Sequence, residues 1–122
     1  RVSLIPGARE TLDKLIAEEH EVFIVTASSM NTIGKKWREV IKKFLPMIHQ
    51  DHIIVTHRKG MIKGDVLIDD APFNFDGGDF FCILFDAPHN RAERSSGFVR
   101  VSNWDEAYEY IHGLEVILRY AE

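Results

Sequence analysis

The stretch 65-DVLIDDAPFN-74 decides the fold. Its apolar run, Val66 to Ile68, is of strand length and ends in two adjacent carboxylates, Asp69 and Asp70. A short run that is apolar at successive positions reads as a strand buried on both faces, as in a parallel sheet covered by helices. Two like charges at the end of such a strand repel each other, and burial penalises both. One must take up a proton, or a cation must sit beside them. A hard divalent ion with oxygen ligands, such as Mg²⁺, is the natural partner. The plainer reading is a cap. Asp70 could cap a turn starting at Ala71 or Pro72, because proline suits a first helical position. A cap accounts for one aspartate of the pair.

Upstream, 22-VFIVT-26 is a second run of the same kind. It follows a helical pattern that Pro6 and Gly7 open, with Ala8, Leu12, Leu15 and Ile16 at three- and four-residue spacing; the helix is expected from about residue 7 to His20. The small, polar segment 27-ASSMN-31 is a loop. Ile33, Trp37, Val40, Ile41 and Phe44 then predict a second helix over about 32 to 44, which Pro46 stops. Next come a strand at 53-IIVT-56 and a basic turn region, 57-HRKGMIKG-64. Downstream, 81-FCILF-85 is another buried strand and 99-VRV-101 a short edge strand. Asn103 and Glu106 have capping-pair spacing before a last helix over about 104 to 121. Its apolar set is Trp104, Ala107, Tyr108, Ile111, Leu114, Val116, Ile117 and Leu118.

Short apolar strands alternating with helices imply an α/β fold: one domain over 1–122, with a Rossmann-like parallel sheet and helices on both faces. Ligands of such sheets bind at the carboxyl ends of the strands. That rule selects Thr26 with Ala27 and Ser28, Thr56 with His57, and Asp69 with Asp70.

Composition narrows the function classes. The chain has 122 residues, 45% of them hydrophobic, which suits a globular domain with a real core. A net charge of −4 gives no general attraction to nucleic acid or to anionic membranes. No apolar run approaches the roughly 20 residues that span a bilayer, and no signal peptide is visible. The single cysteine, Cys82, reads as a buried thiol in a reducing compartment, so a cytoplasmic location is expected. A homodimer is compatible with these features.

Thr26 places a hydroxyl at a strand end, followed by small residues; such a hydroxyl can bind phosphate together with backbone N–H groups. Threonine is also simply a good strand residue. Lys35 and Lys36 begin the exposed face of the second helix, where a lysine could reach an anion at the strand ends or lie on a solvated face. His89 and Asn90 shape either a loop near the site or a plain turn after Pro88. Arg91, Arg94 and Arg100 read as solvated surface, and Trp37 and Trp104 as half-buried anchors. The order matters: a strand ending in threonine, a helix lysine, then a strand ending in Asp-Asp. A response-regulator receiver domain is excluded, since there the acidic pair precedes the threonine and lysine.

In that order the chain resembles the C-terminal part of a haloacid dehalogenase-like phosphatase, and more narrowly the 5'(3')-deoxyribonucleotidase group. The segments that carry the resemblance are 5-IPGARETLDKL-15, 22-VFIVTAS-28, 36-KWREVIKKF-44, 65-DVLIDDAPFN-74, 84-LFDAPHN-90 and 100-RVSNWDE-106. The resemblance implies that Thr26, with Ala27, binds the transferring phosphoryl group, and that Lys36 neutralises it, with adjacent Lys35 as competitor. It implies that Asp70 ligates Mg²⁺ and that Asp69 supports or shares that site. The implied reaction is hydrolysis of a nucleoside monophosphate through an aspartyl-phosphate.

The family's first motif, Asp-x-Asp, supplies the nucleophile and is absent here. Asp76 and Asp79 of 76-DGGD-79 lie in a glycine turn and end no apolar strand. The first-motif strand of the family runs between those that end here in Thr26 and Asp70. The expectation is therefore that it lies upstream of Arg1, and that this chain alone is inactive. Without it, two buried strands each lack a backbone partner. The alternative function is a non-catalytic phosphate- or metal-binding domain of the same fold.

Overall fold

A computed structural model describes residues 6–27, 29–94 and 97–121, with the backbone alone for 115–121. Ser28 and the side chains of Val116, Ile117 and Leu118 therefore lie outside the described residues. The chain divides into two compact units, Arg1–His57 and Arg58–Glu122. Each is described by itself.

In the first unit, helix α1 (Ala8–Ala17) starts after Gly7, whose φ of 90° is open to glycine without strain. The helix is shorter than its periodicity predicts. His20 N–H donates to Leu15 O and Glu19 N–H to Ile16 O, both at 3.0 Å, and Glu19 takes φ 71°. These two bonds form a Schellman closure that satisfies the last carbonyls with glutamate in the left-handed position. Strand β1 (Ile24–Thr26) pairs in parallel with β2 (Ile53–Val55), Ile24 opposite Ile53 and Thr26 opposite Val55. Between them runs one helical stretch: α2 (Met30–Lys36), a π-helical segment (Trp37–Ile41) and α3 (Lys42–Phe44). The sequence predicts a plain helix here, so the wide turn just after Lys36 is a departure of a kind often found at functional sites. Ala8, Leu12, Leu15, Ile41, Leu45 and Ile48 form the buried apolar set of this unit.

In the second unit, β3 (Val66–Asp69), β4 (Phe81–Phe85) and β5 (Val99–Val101) form a parallel sheet in the order β3-β4-β5. Central β4 is its most buried strand, with Cys82 to Phe85 all buried. Helix α4 (Trp104–Ala121) covers the sheet through Ala107 and Ile111, and Trp104 packs against Phe85 with ring centroids 5.4 Å apart. Its start is capped as the sequence predicts: Asn103 Oδ1 accepts from Glu106 N–H at 2.9 Å. The Glu106 carboxylate reaches back one residue further than the usual capping box, to Ser102 N–H at 2.6 Å.

Every strand pair is parallel, as the alternating pattern requires. The expectation of strands buried on both faces fails for β1 and β3. Ile24, Val25 and all four residues of β3 are only half-buried. Among the described residues, β2 is the only strand paired with β1, and β4 the only one paired with β3. Each therefore keeps one edge without a strand neighbour, and the half-burial follows.

Candidate active site

Parallel pairing fixes where the carboxyl ends of the strands lie. In the first unit, β1 ends at Thr26, which is buried. Lys36 Nζ donates to Thr26 Oγ1 at 3.0 Å, while Thr56 N–H uses the Thr26 carbonyl at 2.9 Å. Lys36 is half-buried; adjacent Lys35 is exposed and points elsewhere on the helix surface. Among the described residues no carboxylate lies against Lys36, so its ammonium leans on a neutral hydroxyl and stays suited to an anion. Ala27 follows, exposed, and so does His57 after β2. The cavity lined by His20, Glu21, His49 and His52 lies at the other, amino ends of β1 and β2 and takes no part in this arrangement.

In the second unit, β3 delivers Asp69 and Asp70 into different surroundings. The Asp69 side chain is 7% exposed. Its Oδ1 accepts Asp70 N–H at 2.8 Å and Ala71 N–H at 3.1 Å. Its Oδ2 accepts Lys59 Nζ at 2.8 Å and Asn74 Nδ2 at 3.1 Å. A carboxylate offers about four lone-pair sites, so the group is saturated. Burial alone would push its pKa up. Lys59 and the two backbone N–H groups outweigh burial, and the carboxyl is held below the usual aspartate value. Asp69 also holds the approach to the 3-10 turn Pro72–Phe75 through Ala71 N–H and Asn74 Nδ2; Ala71 stands at the cap position and no side chain caps the turn, so the capping role the sequence offered to Asp70 is not taken up.

Asp70 carries the opposite character. Its carboxylate is 57% exposed, and the nearest charged or titratable partner is His89 Nε2, 3.7 Å from Oδ2. Its backbone, by contrast, is pinned. The Asp70 carbonyl accepts Asn90 Nδ2 at 2.8 Å and lies 3.0 Å from His89 Nε2. A carbonyl only accepts, so Nε2 of His89 is the protonated nitrogen here.

The cation that the acidic pair demanded is therefore already present for one member: Lys59 neutralises Asp69. In sequence Lys59 is one of several basic residues in a turn, and nothing local marks it as the partner of Asp69. The available signal was a lysine in the segment leading into a strand that ends in a carboxylate, beside Gly60, which lets the turn approach closely. Arg100 also departs from expectation. It is no solvated surface residue; its guanidinium bonds Asp86 Oδ1 at 2.9 Å and Asn90 Oδ1 at 2.8 Å.

Among the described residues no group of three or more His, Cys, Asp or Glu side chains is arranged around a metal ion. The fit to Mg²⁺ is nonetheless real in part. Mg²⁺ keeps several waters and commonly takes only one or two protein carboxylates plus substrate phosphate oxygens. Asp70 is a carboxylate of that kind, whereas Asp69, with its acceptor sites filled, fits a supporting position.

The family model for "5' nucleotidase, deoxy (pyrimidine), cytosolic type C protein" matches residues 1–118. The 5'(3')-deoxyribonucleotidase of Bacillus subtilis is 33% identical over 106 residues, which cover 86% of this chain and 60% of that protein. The 5'(3')-deoxyribonucleotidase of Clostridium acetobutylicum is 35% identical over 113 residues, which cover 93% of this chain and 61% of that protein. The chain thus spans about three-fifths of the length of these curated relatives.

Proposed function

The chain belongs to the deoxy (pyrimidine), cytosolic type C 5' nucleotidase family, with its haloacid dehalogenase-like α/β fold, and from that premise we propose that it is the core of a Mg²⁺-dependent phosphomonoesterase acting on deoxynucleoside monophosphates. The observation that carries the proposal is the division between two adjacent carboxylates. The Asp69 side chain is covered, saturated and neutralised by Lys59, while Asp70 projects a carboxylate into solvent at the carboxyl end of a parallel strand. A strand end that needed only a cap would not need the second charge.

The roles are assigned unit by unit. In the first, Thr26 and the Ala27 backbone would bind the phosphoryl group, and Lys36 would offset its charge. In the second, Asp70 would ligate Mg²⁺ and Asp69 would hold the segment that presents it. Bound there, Mg²⁺ would supply charge stabilisation to the phosphoryl oxygens. Lys59 is the second lysine built into a strand end and competes with Lys36 for the phosphoryl-neutralising role.

The reaction would run through an aspartyl-phosphate whose nucleophile lies outside these 122 residues. Of the aspartates at the described strand ends, Asp69 is saturated, Asp70 is assigned to the metal, and Asp86 is held by Arg91 at 3.2 Å and Arg100 at 2.9 Å. The chain by itself would then bind without turnover. Cytoplasmic location and small-molecule substrates complete the proposal.

The test is phosphate release from deoxynucleoside monophosphates by the complete protein, with Mg²⁺ and with chelator. Release that needs Mg²⁺ and collapses in Asp70→Asn is expected. Undiminished release under chelator would overturn the metal role. Turnover by the 122-residue chain alone would overturn the external nucleophile.

A further inference from the structure

We infer that Asn90 is a positioning residue for Asp70: a buried amide that clamps the Asp70 main chain and so fixes the direction in which its side chain leaves the strand end. The inference rests on the metal role proposed above for Asp70.

Asn90 is fully buried at 0% exposure and uses every hydrogen-bonding position of its amide. Nδ2 donates to Asp70 O at 2.8 Å and to Phe85 O at 2.9 Å. Oδ1 accepts Ala87 N–H at 3.1 Å and Arg100 Nη1 at 2.8 Å. This assignment of oxygen and nitrogen is forced. A guanidinium and a backbone N–H can only donate, so the amide oxygen must face them, and the NH₂ must face the two carbonyls. Arg100 is itself tied down by Asp86 Oδ1 at 2.9 Å and by the carbonyls of Asn90 and Glu93, both at 3.1 Å. The amide therefore cannot flip without setting its NH₂ against two donors and its oxygen against two carbonyls.

The clamp joins the ends of two neighbouring strands. Phe85 closes β4, and Asp70 is the first residue beyond β3. Holding the Asp70 carbonyl sets the peptide plane after Asp70, while Asp69 Oδ1 holds the N–H groups of Asp70 and Ala71. His89 Nε2–H adds a second donor to the same carbonyl at 3.0 Å. The one part of Asp70 left without a clamp is the carboxylate. A main chain held this way fixes the Cα–Cβ direction of Asp70, so only side-chain rotation is left to lose when a cation binds. A polar side chain this deeply buried would be needless if the loop had only to be filled, because an apolar side chain carries no desolvation penalty.

The test is Mg²⁺ affinity by calorimetry on the complete protein at pH 8, where an ordinary imidazole is neutral, for wild type, Asn90→Asp, His89→Leu and Asp70→Asn. Asn90→Asp keeps both accepting bonds and removes both donors. The charge it adds would by itself favour a cation, so a weaker affinity can only report position. The expected result is at least tenfold weaker Mg²⁺ binding in Asn90→Asp, and about threefold weaker in His89→Leu, which is at the exposed end of the clamp. A lower melting temperature with wild-type Mg²⁺ affinity would make Asn90 a purely structural pin and overturn the inference. Should Asn90→Asp fail to fold, unchanged affinity in His89→Leu overturns it instead. If Asp70→Asn leaves Mg²⁺ binding intact, the metal role of Asp70 falls and this inference with it. If Asp70→Asn alone weakens binding, only the clamp falls.

Discussion

Lys59 Nζ and Asp69 Oδ2 lie 2.8 Å apart with their side chains 12% and 7% exposed. The two side chains are largely covered, so removing one partner differs from removing both. In Lys59→Met the carboxylate keeps two backbone N–H groups and Asn74 but loses its countercharge. The expected loss in urea unfolding is about 3 kcal/mol, in the range for one stranded member of a buried pair. Lys59→Met combined with Asp69→Asn should recover part of that loss. A double variant as unstable as the sum of its singles would mean that the two residues do not interact.

The same pair sets an acid limit. The folded pKa of Asp69 lies below the usual value, because Lys59 and two N–H groups outweigh its burial. Its contribution to stability is then complete above the unfolded value of about 4. It disappears as pH falls from there through the lower folded value. The midpoint denaturant concentration should decline over that window, and the decline should be shallower in Asp69→Asn. Identical pH profiles for the two proteins would contradict the linkage.

Gly60 controls how Lys59 reaches this position. A Cβ on Gly60 would run into the Asp76 carbonyl, which is backbone and cannot swing aside, and would also crowd Gly78 N. Gly60→Ala should therefore cost about 1–3 kcal/mol, as overpacking does, and should move the turn Lys59–Met61 relative to Asp69. Nuclear magnetic resonance titration of the Asp69 carboxyl is the check. Its pKa should rise toward the ordinary value in Gly60→Ala. An unmoved value would show that the turn adapts.

Strands and sites were legible to different degrees, and the reason is range. Phe81–Phe85 and Val99–Val101 fall where short apolar runs place them, because strand formation there follows from local pattern and burial. Val22 and Phe23 fall outside β1, and Phe23 is 41% exposed, because a strand with one neighbour pairs over fewer residues than its apolar run suggests. Thr26, Asp69 and Asp70 were visible because each ends an apolar run. Lys59 was not, since in sequence it is one of several basic residues in a turn and only folding brings its ammonium to Asp69. Asn90 was visible as a loop residue near the site or in a plain turn, but its bond to Asp70, 20 residues away, was not, and the same holds for Arg100 and Asp86, 14 residues apart. Chemistry assembled across strand ends leaves little local signature.

The two lysines can be separated by function. Lys36 touches the Thr26 hydroxyl at 3.0 Å and is opposed by no carboxylate among the described residues, whereas Lys59 spends its charge on Asp69. A lysine that stabilises charge developing on a phosphoryl group should matter more in the transition state than in the ground state. In the complete protein, Lys36→Met should lower kcat/KM by about 100-fold, the usual scale for one lost electrostatic donor. Stability should hardly change, because a partly exposed lysine on a helix contributes little of it. Lys35→Met, on the exposed neighbour, should leave kcat/KM unaltered. Thr26→Val should lose activity alongside Lys36→Met, and the double variant should be no worse than the poorer single, since the two side chains act through one contact. Wild-type kinetics in Lys36→Met, with kcat lost per folded molecule in Lys59→Met, would transfer the phosphoryl-neutralising role to Lys59. The Lys36–Thr26 contact would then be a brace for β1 and α2 rather than part of the site.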